Sequence, residues 1–417
     1  MMTDEASTLD EREMIYDWNL VDKPETAMGA VEFDDETLRD GIQSPSVKAP
    51  TIEEKIQILH LIADLGIQSA DIGLPGAGRM MTEHAVALAK EIVNHKLPIE
   101  PNCAARTIAV DIDPIVEASQ RAGISIEASL FIGSSPIRQY VENWTLDKML
   151  KMSEEAVRYA VDNGLSVMFV TEDTTRAHPD TLRKLYTTAI ECGARRICLA
   201  DTVGHATPHG TRMLVNAMKK VVEDTGEEVK IDWHGHRDRG LSLENAIAAA
   251  EAGAVRFHGT ALGIGERCGN TPMEHLLVNF RLLRVIDNDL TKLGEYCNLV
   301  SRACEVPIPN NHPVLGADAY RTSTGVHAAA VIKATNKGHS WLADRIYSGV
   351  PAAWTGQKQK IEIGPMSGVS NIVFWLKNHD IEPADRLVEE IFEAAKKADR
   401  VLSEESVLDI IEKHNKK

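Results

Sequence analysis

The sequence lacks a long apolar run, an excess of positive charge and any closely spaced pair of cysteines. Its 417 residues include six cysteines, and none of them forms a C-x-x-C pair. Scattered cysteines in a chain of this length predict reduced thiols in a cytoplasmic protein, and they argue against a disulfide scaffold or a zinc ribbon. No apolar run approaches the ~20 residues that a membrane span needs. The first thirty residues are acidic and polar, without the pattern of a signal peptide.

Negative charge dominates the composition. The chain has 45 lysine and arginine residues against 62 aspartate and glutamate residues, a formal net charge of −17. A chain this acidic repels phosphate backbones, so nucleic acids and anionic membranes are not expected partners. Apolar residues make up 43% and charged residues 26% of the chain, as in ordinary globular proteins. The length exceeds that of most single cores, which predicts more than one domain.

One local pattern recurs along the chain: an amphipathic stretch ends in glycine and a short apolar run follows at once. It occurs at Gly66, Gly123, Gly164, Gly193 and Gly253. Glycine is favoured where a helix ends in a left-handed residue, and the apolar run is typical of a buried strand. A unit of about thirty residues matches a βαβ repeat. Eight strands are predicted in this way: Ala30–Asp34, Ile67–Gly73, Pro98–Cys103, Ile124–Ile132, Leu165–Val170, Arg195–Ala200, Val229–His234 and Ala254–Gly259.

Eight alternating units predict a (β/α)8 TIM barrel, with an open doubly wound sheet as the alternative. Thr51, with Glu54 three residues later, predicts a capped helix start within this region. The alternation stops near Leu293, and the remainder is mainly helical, with two helices expected between 383 and 411. We therefore predict an N-terminal arm (1–29), a TIM-barrel catalytic domain (30–293) and a mainly helical C-terminal module (294–417).

Polar residues collect where the predicted strands end, which is where barrel enzymes build their active sites. His234 and His236 point to the same side of the seventh strand, so two imidazoles can converge on one ion. Asp40, after the first strand, can join them. Two imidazoles and one carboxylate suit a divalent Mg, Mn or Zn ion, and non-haem Fe(II) fits as well. Arg39 is expected to stabilise an oxyanion formed beside that ion.

Four motifs follow the ends of predicted strands. They are Glu36-Thr37-Leu38-Arg39-Asp40-Gly41-Ile42-Gln43, Asp201-Thr202-Val203-Gly204, His234-x-His236-x-Asp238-x-Gly240-Leu241 and Gly263-Ile264-Gly265-Glu266-Arg267-x-Gly269-Asn270. In this order they resemble the α-isopropylmalate synthase/homocitrate synthase family, and the resemblance covers residues 31–380. It implies a metal-dependent TIM-barrel acyltransferase that joins acetyl-CoA to a 2-oxo acid by a Claisen condensation and then hydrolyses the thioester. The motifs are far more specific for the superfamily than for the substrate.

The resemblance also implies roles for single residues. It assigns Asp40, His234 and His236 to the metal, with Asn270 as a further ligand. It places Arg39 beside the oxo group, Thr202 on the carboxylate of the 2-oxo acid and Glu172 in the pocket. A segment from Ser323 to His327 resembles one whose histidine belongs to the catalytic base system, and this implies that His327 acts in catalysis together with Tyr347.

The chain departs from the family at two positions: Arg237 replaces a usual asparagine and Arg138 replaces a frequent histidine. There is also no room for the long C-terminal domain through which leucine regulates many members. The resemblance is therefore closest to an isopropylmalate synthase-like member without that domain, expected to form a homodimer.

Three side chains bear on the choice of substrate. Leu74, Met168 and Val170 predict an apolar pocket, which favours 2-oxoisovalerate and the product 2-isopropylmalate, in leucine biosynthesis. Citramalate synthase and homocitrate synthase stay open, and homocitrate synthase would need Arg138 or Arg106 in the pocket.

Two other functions compete with this interpretation. A hydroxymethylglutaryl-CoA lyase would run the reverse carbon–carbon cleavage, but such lyases carry a Cys-Pro in the loop after strand eight, whereas Cys268 is followed by Gly269. A non-catalytic relative that only binds a 2-oxo acid or a partner protein is the second alternative. The intact set of metal ligands argues against it.

Overall fold

The computed structural model describes residues 10–21 and 28–416 and divides into two compact units. The barrel unit ends at residue 308, and the helical unit contains residues 309–416 together with residues 10–21. The predicted N-terminal arm lies partly outside the described residues, at 1–9 and 22–27. The predicted domain division at residues 293 and 294 stays a prediction.

Eight parallel strands close into a barrel in the order β1 to β8, with each strand beside the next and β8 beside β1. This confirms the predicted TIM barrel and excludes the open doubly wound sheet. The strands are β1 (Glu32–Asp35), β2 (Ser69–Asp71), β3 (Glu100–Arg106), β4 (Glu127–Gly133), β5 (Val167–Glu172), β6 (Arg196–Asp201), β7 (Lys230–Gly235) and β8 (Arg256–Gly259).

Each strand begins slightly later than the sequence predicts. For β2, β4, β5 and β8 the reason is that the residue after the helix-ending glycine still belongs to the helix cap. The backbone N–H of Ile67 donates to the carbonyl of Ile62, and that of Leu165 donates to Ala160. The same bond joins Ala254 to Ala249. Such bonds close the last turn of a helix, so the apolar residue after glycine ends the helix and does not begin the strand.

Helices alternate with the strands on the chain. The predicted cap of the first long helix is confirmed: Thr51 Oγ1 accepts from the backbone of Glu54, and the Glu54 carboxylate accepts from the backbone of Thr51. The helices of this unit are Ile52–Asp64, Arg79–His95, Ala109–Ala122, Pro136–Glu142, Leu146–Asp162, Pro179–Glu191, Pro208–Thr225, Ser242–Ala252, Met273–Leu282 and Leu293–Cys304.

The helical unit has its own apolar core, built around Ile363, Ile372, Leu376 and Ile391. The two helices expected near the C-terminus are present, as Asp385–Lys397 and Glu404–Asn415. The other elements are the helices Glu11–Met14, Gly325–Asn336, Ser340–Arg345 and Val369–Asn378, and a two-stranded parallel sheet of Arg321–Thr322 and Lys360–Ile361.

All six cysteines are free thiols, and only Cys268 is exposed. No helix within residues 10–21 and 28–416 combines the length and the apolar character needed to cross a membrane.

Candidate active site

A cavity of about 170 Å³ opens at the C-terminal ends of the barrel strands. Nine of the residues selected from the sequence line it together, although they come from five different strands or the loops that follow them. They are Arg39, Asp40, Leu74, Met168, Val170, Glu172, Thr202, His234 and His236.

Asp40, His234 and His236 converge in this cavity. Asp40 Oδ2 lies 3.6 Å from His236 Nε2 and 3.9 Å from His234 Nε2. One ligand atom from each of the three side chains lies within 4.8 Å of the others, and all three residues are buried. These are contact distances for side chains around one ion, and they are too long for hydrogen bonds among themselves.

The neighbours of this group orient its ligand atoms. Arg39 Nη1 donates to Asp40 Oδ1 at 2.9 Å, which leaves Oδ2 directed at the imidazoles. His234 Nδ1 lies 2.9 Å from a Glu36 carboxylate oxygen, so its Nε2 faces the group. A carboxylate behind a histidine is the usual way to fix the ring of a metal ligand. Burial, with His234 alongside, lowers the pKa of His236 to about 4, which keeps that imidazole neutral.

Arg39 is held by three carboxylates. Its Nε donates to Asp71 Oδ2 at 2.7 Å, and its Nη2 lies 2.9 Å from Glu36 Oε1. With the bond to Asp40, these contacts use three of the five N–H donors of a guanidinium. Two donors remain for a substrate oxygen, and the fixed fork can present them without further ordering.

A second group of charged side chains includes His258 and Glu36, which also line the cavity, and Asp232. His258 Nδ1 lies 2.9 Å from Glu36 Oε1, and its Nε2 lies 3.1 Å from Asp232 Oδ2. Burial opposes protonation of His258, but the hydrogen bonds to Asp232 and Glu36 raise its pKa to about 10. Glu36, Asp71 and His258 were not selected from the sequence. Glu36 lies in the same motif as Asp40, and Asp71 and His258 lie near the ends of β2 and β8, so their position was the available signal.

The glycine-rich loop after β8 brings Asn270 to this region. A Cβ on Gly265 would lie 2.2 Å from Asn270 Nδ2, and a Cβ on Gly269 would lie 1.8 Å from the carbonyl oxygen of Gly263. Only glycine allows such close approach. Asn270 Nδ2 donates to the carbonyl of Ile264, so its Oδ1 is the atom left for a ligand. Arg237, one of the two departures from the family, donates from Nε to the carbonyl of Cys268 and ties down the same loop.

The donor set fits a divalent metal ion. Among the residues that the structure describes, Asp40 Oδ2 and Asn270 Oδ1 are buried oxygens without a hydrogen-bond partner. A buried carboxylate oxygen without a partner is costly unless a ligand satisfies it. Neutral imidazoles, a carboxylate and an amide oxygen are ligands that Mg²⁺, Mn²⁺ and Zn²⁺ accept.

Two more predicted residues line the cavity, Thr202 from the loop after β6 and Glu172 from the end of β5. Thr202 Oγ1 accepts from the backbone N–H of Asp173 at 2.8 Å, so its own proton is left to donate. Glu172 lies 3.6 Å from Arg138, and burial raises the pKa of Glu172. Arg106 pairs through Nε and Nη2 with Asp111, so its charge is already matched.

His327 and Tyr347 lie together in the helical unit. Their rings stack with centroids 4.2 Å apart and an interplanar angle of 29°, and both residues are exposed. The structure therefore pairs the two residues that the sequence selected as a base system, while the other predicted residues lie in the barrel unit.

Comparison with known proteins relates this geometry to one family. Residues 30–300 match the family model described as HMGL-like. The chain is 32% identical to homocitrate synthase AksA of Methanopyrus kandleri, over 87% of this chain and 86% of that protein. It is 33% identical to 2-isopropylmalate synthase of Methanocaldococcus jannaschii, over 84% of this chain and 63% of that protein. Among solved structures, hydroxymethylglutaryl-CoA lyase of Bacillus subtilis matches with a TM-score of 0.56 and 20% identity, over 67% of this chain and 95% of that chain. At that identity the last match concerns the fold alone.

Proposed function

The chain belongs to the HMGL-like family, and from this premise we propose that it is an acyltransferase that condenses acetyl-CoA with a 2-oxo acid. The observation that carries the proposal is the convergence of Asp40, His234 and His236 in a cavity that both polar and apolar side chains line. We assign the metal to these three residues, with Asn270 as a further ligand. When bound, a divalent ion supplies Lewis-acid polarisation of the oxo carbon.

Three further side chains of the cavity have separate roles in substrate binding and catalysis. Thr202 donates its hydroxyl proton to the carboxylate of the 2-oxo acid, since its oxygen already accepts from Asp173. Arg39 directs its two remaining N–H donors at the oxygen on which negative charge develops when the new carbon–carbon bond forms. Glu172, whose pKa burial raises, lies across the cavity as a candidate to exchange a proton with the acyl group or with water during thioester hydrolysis.

Proton removal from the acetyl methyl group is assigned to His327, with Tyr347 stacked on it. A histidine is suited to this step because its unperturbed pKa lies near neutrality. We propose that a homodimer is the active form and that one subunit supplies His327 to the barrel of the other.

The choice of substrate rests on the apolar side chains that line part of the cavity. Leu74, Met168 and Val170 line the cavity together with Ala104 and Phe131. Arg106 pairs with Asp111, and Arg138 pairs with Glu142 and lies 3.6 Å from Glu172, so the charge of each guanidinium is already matched by carboxylates of the chain. An aliphatic side chain therefore fits better than that of 2-oxoglutarate, and we propose 2-oxoisovalerate as the substrate and 2-isopropylmalate as the product. This would place the chain in leucine biosynthesis in the cytoplasm.

The relatives named above differ in the reaction for which they are named, since one is a homocitrate synthase and another a 2-isopropylmalate synthase. A thiol-release assay of purified protein with acetyl-CoA and Mg²⁺ or Mn²⁺, against a panel of 2-oxo acids, tests the proposal. We expect 2-oxoisovalerate to give a higher kcat/KM than 2-oxoglutarate or pyruvate. A higher value for 2-oxoglutarate would support homocitrate synthase, and one for pyruvate citramalate synthase. Cleavage of hydroxymethylglutaryl-CoA without thiol release from acetyl-CoA would support the lyase.

A further inference from the structure

A second group of metal-ligating side chains lies on two outer helices of the barrel unit. His60 projects from the helix Ile52–Asp64, while Glu91 and His95 project from the helix Arg79–His95. One ligand atom from each lies within 4.8 Å of the others. None of the three lines the cavity described above. The group is therefore separate from the proposed active site.

The distances within this group are close to those of a tetrahedral metal site. Glu91 Oε1 lies 3.3 Å from His95 Nε2 and 2.7 Å from His60 Nε2. Ligand atoms bound to zinc at about 2.0–2.2 Å stand about 3.3 Å apart. The first distance already has this value, and the second must open by roughly 0.6 Å for both atoms to bind one ion. The imidazole rings meet edge to face with centroids 5.3 Å apart, so their nitrogens can approach one point.

The local sequence explains why these residues meet. Glu91 and His95 are four residues apart and so lie on the same face of one helix. The side chain of Glu91 is 18% exposed, whereas those of His60 and His95 are 37% and 57% exposed. The carboxylate thus forms the floor of the group, and its outer side is open to water. A tetrahedral ion would find three protein ligands and could take water as the fourth.

Without an ion, the two imidazoles compete for a single oxygen. Both Nε2 atoms approach Glu91 Oε1, so both rings must carry their proton on Nε2 to form two hydrogen bonds with it. With an ion, each neutral ring presents a lone pair instead, and the carboxylate charge is matched by the metal. Imidazole ligands favour zinc and its transition-metal neighbours over Mg²⁺ or Ca²⁺.

We propose that His60, Glu91 and His95 bind a divalent transition-metal ion of the zinc type and that this ion links the two outer helices. The site does not depend on the proposed catalytic function. Its expected effect is on the stability of the barrel unit, because an ion that binds only the folded chain stabilises it by mass action.

Zinc titration of metal-free, full-length protein tests this site. His95→Ala and Glu91→Gln each remove one ligand, and His209→Ala is the matched control because His209 is an exposed histidine on another barrel helix, Pro208–Thr225. By calorimetry we expect the wild type and His209→Ala to bind one more zinc ion per chain than the two ligand variants. Circular dichroism verifies that each variant is folded.

A second measurement separates this site from the active site. In a His236→Ala background, where the ligand set in the cavity is broken, zinc should still raise the thermal midpoint, and adding His95→Ala should abolish that rise. His95→Ala alone should leave kcat unchanged. Equal zinc stoichiometry and affinity in wild type and His95→Ala would overturn the proposal and leave the group as a hydrogen-bonded cluster. A zinc-dependent rise that persists in the double variant would overturn it as well.

Discussion

The two ends of the barrel both carry buried charge, but they use it differently. At the N-terminal end, Arg196 contacts Asp232 at 2.8 Å and Glu32 at 2.9 Å, and Arg256 contacts Asp232 and Glu127 at 2.6 Å each. Positive and negative groups there satisfy one another. At the C-terminal end, the same kind of cluster leaves buried ligand atoms directed at a cavity, with Asp40 Oδ2 as the clearest case.

This difference distinguishes a structural charge network from a binding site. A buried charge is tolerated when its partners are all present, and the N-terminal network meets that condition within the chain. The C-terminal group lacks some of these partners within the chain, so a ligand is needed to satisfy its remaining buried atoms. Charge alone therefore does not mark the active site of this barrel, whereas a buried ligand atom that lacks a partner and belongs to a residue lining the cavity does.

The largest effect is expected from breaking the C-terminal group. His236→Ala should lower kcat by more than about a hundredfold, since even the loss of an outer partner of a metal ligand costs 10–100-fold. The chain should stay folded, because the removed ring has no structural partner to leave unpaired. Steady-state thiol release measures the loss of kcat, and thermal unfolding checks that the variant is folded. A His236→Ala protein with full activity after chelator treatment would remove this residue from the metal site.

The converse substitution at the other end should act on stability. Arg196→Met leaves Asp232 and Glu32 without one of their partners, and removing one member of a buried ion pair costs about 3–5 kcal/mol of unfolding free energy. The folded fraction should retain kcat, because Arg196 does not line the cavity. Denaturant unfolding measures the loss of unfolding free energy. Turnover normalised to the concentration of active sites measures whether kcat is retained. A stable Arg196→Met protein with a large loss of kcat would reverse the comparison.

A smaller effect is expected at the carboxylate of the substrate. Thr202→Val removes a hydroxyl whose proton is left to donate. A hydrogen bond to a charged group is worth about 1.5–3 kcal/mol, so KM for the 2-oxo acid should rise roughly ten- to a hundredfold. The KM for acetyl-CoA should change little, which serves as the internal control. Equal rises in both constants would point to a general disturbance of the cavity.

The smallest effect is a shift in pH dependence. Burial raises the pKa of Glu172, and the positive charge of Arg138 opposes that rise. Arg138→Met removes the opposing charge, so the pKa of Glu172 should rise further. If activity needs ionised Glu172, the acid limb of the kcat profile should move to higher pH in Arg138→Met. Arg106→Met, whose guanidinium pairs with Asp111, is the control and should leave the limb in place. A shift to lower pH in Arg138→Met would contradict this role.

The barrel and the convergence of His234 and His236 could be predicted from the sequence because both depend on short-range spacing, whereas their role as metal ligands stays a prediction. The i and i+2 relation of His234 and His236 already places two imidazoles on one side of a strand. The partners of Arg39 could not be predicted in the same way. Glu36 follows β1 and Asp71 ends β2. Both contact the same guanidinium because closure of the barrel brings the C-terminal ends of these strands together. The starts of β2, β4, β5 and β8 also lie later than predicted, because the bonds that end the preceding helices extend past the glycine.

The most direct measurement of this account is an anomalous difference map from crystals of the protein soaked with Mn²⁺ and 2-oxoisovalerate. We predict a peak among Asp40, His234 and His236, at about 2.0–2.3 Å from their ligand atoms, with the 2-oxo acid beside Thr202. The N-terminal network around Arg196 and Asp232 should show no peak, because its charges are matched within the chain. A peak in that network, or none beside Asp40, would contradict the distinction on which the proposed function rests.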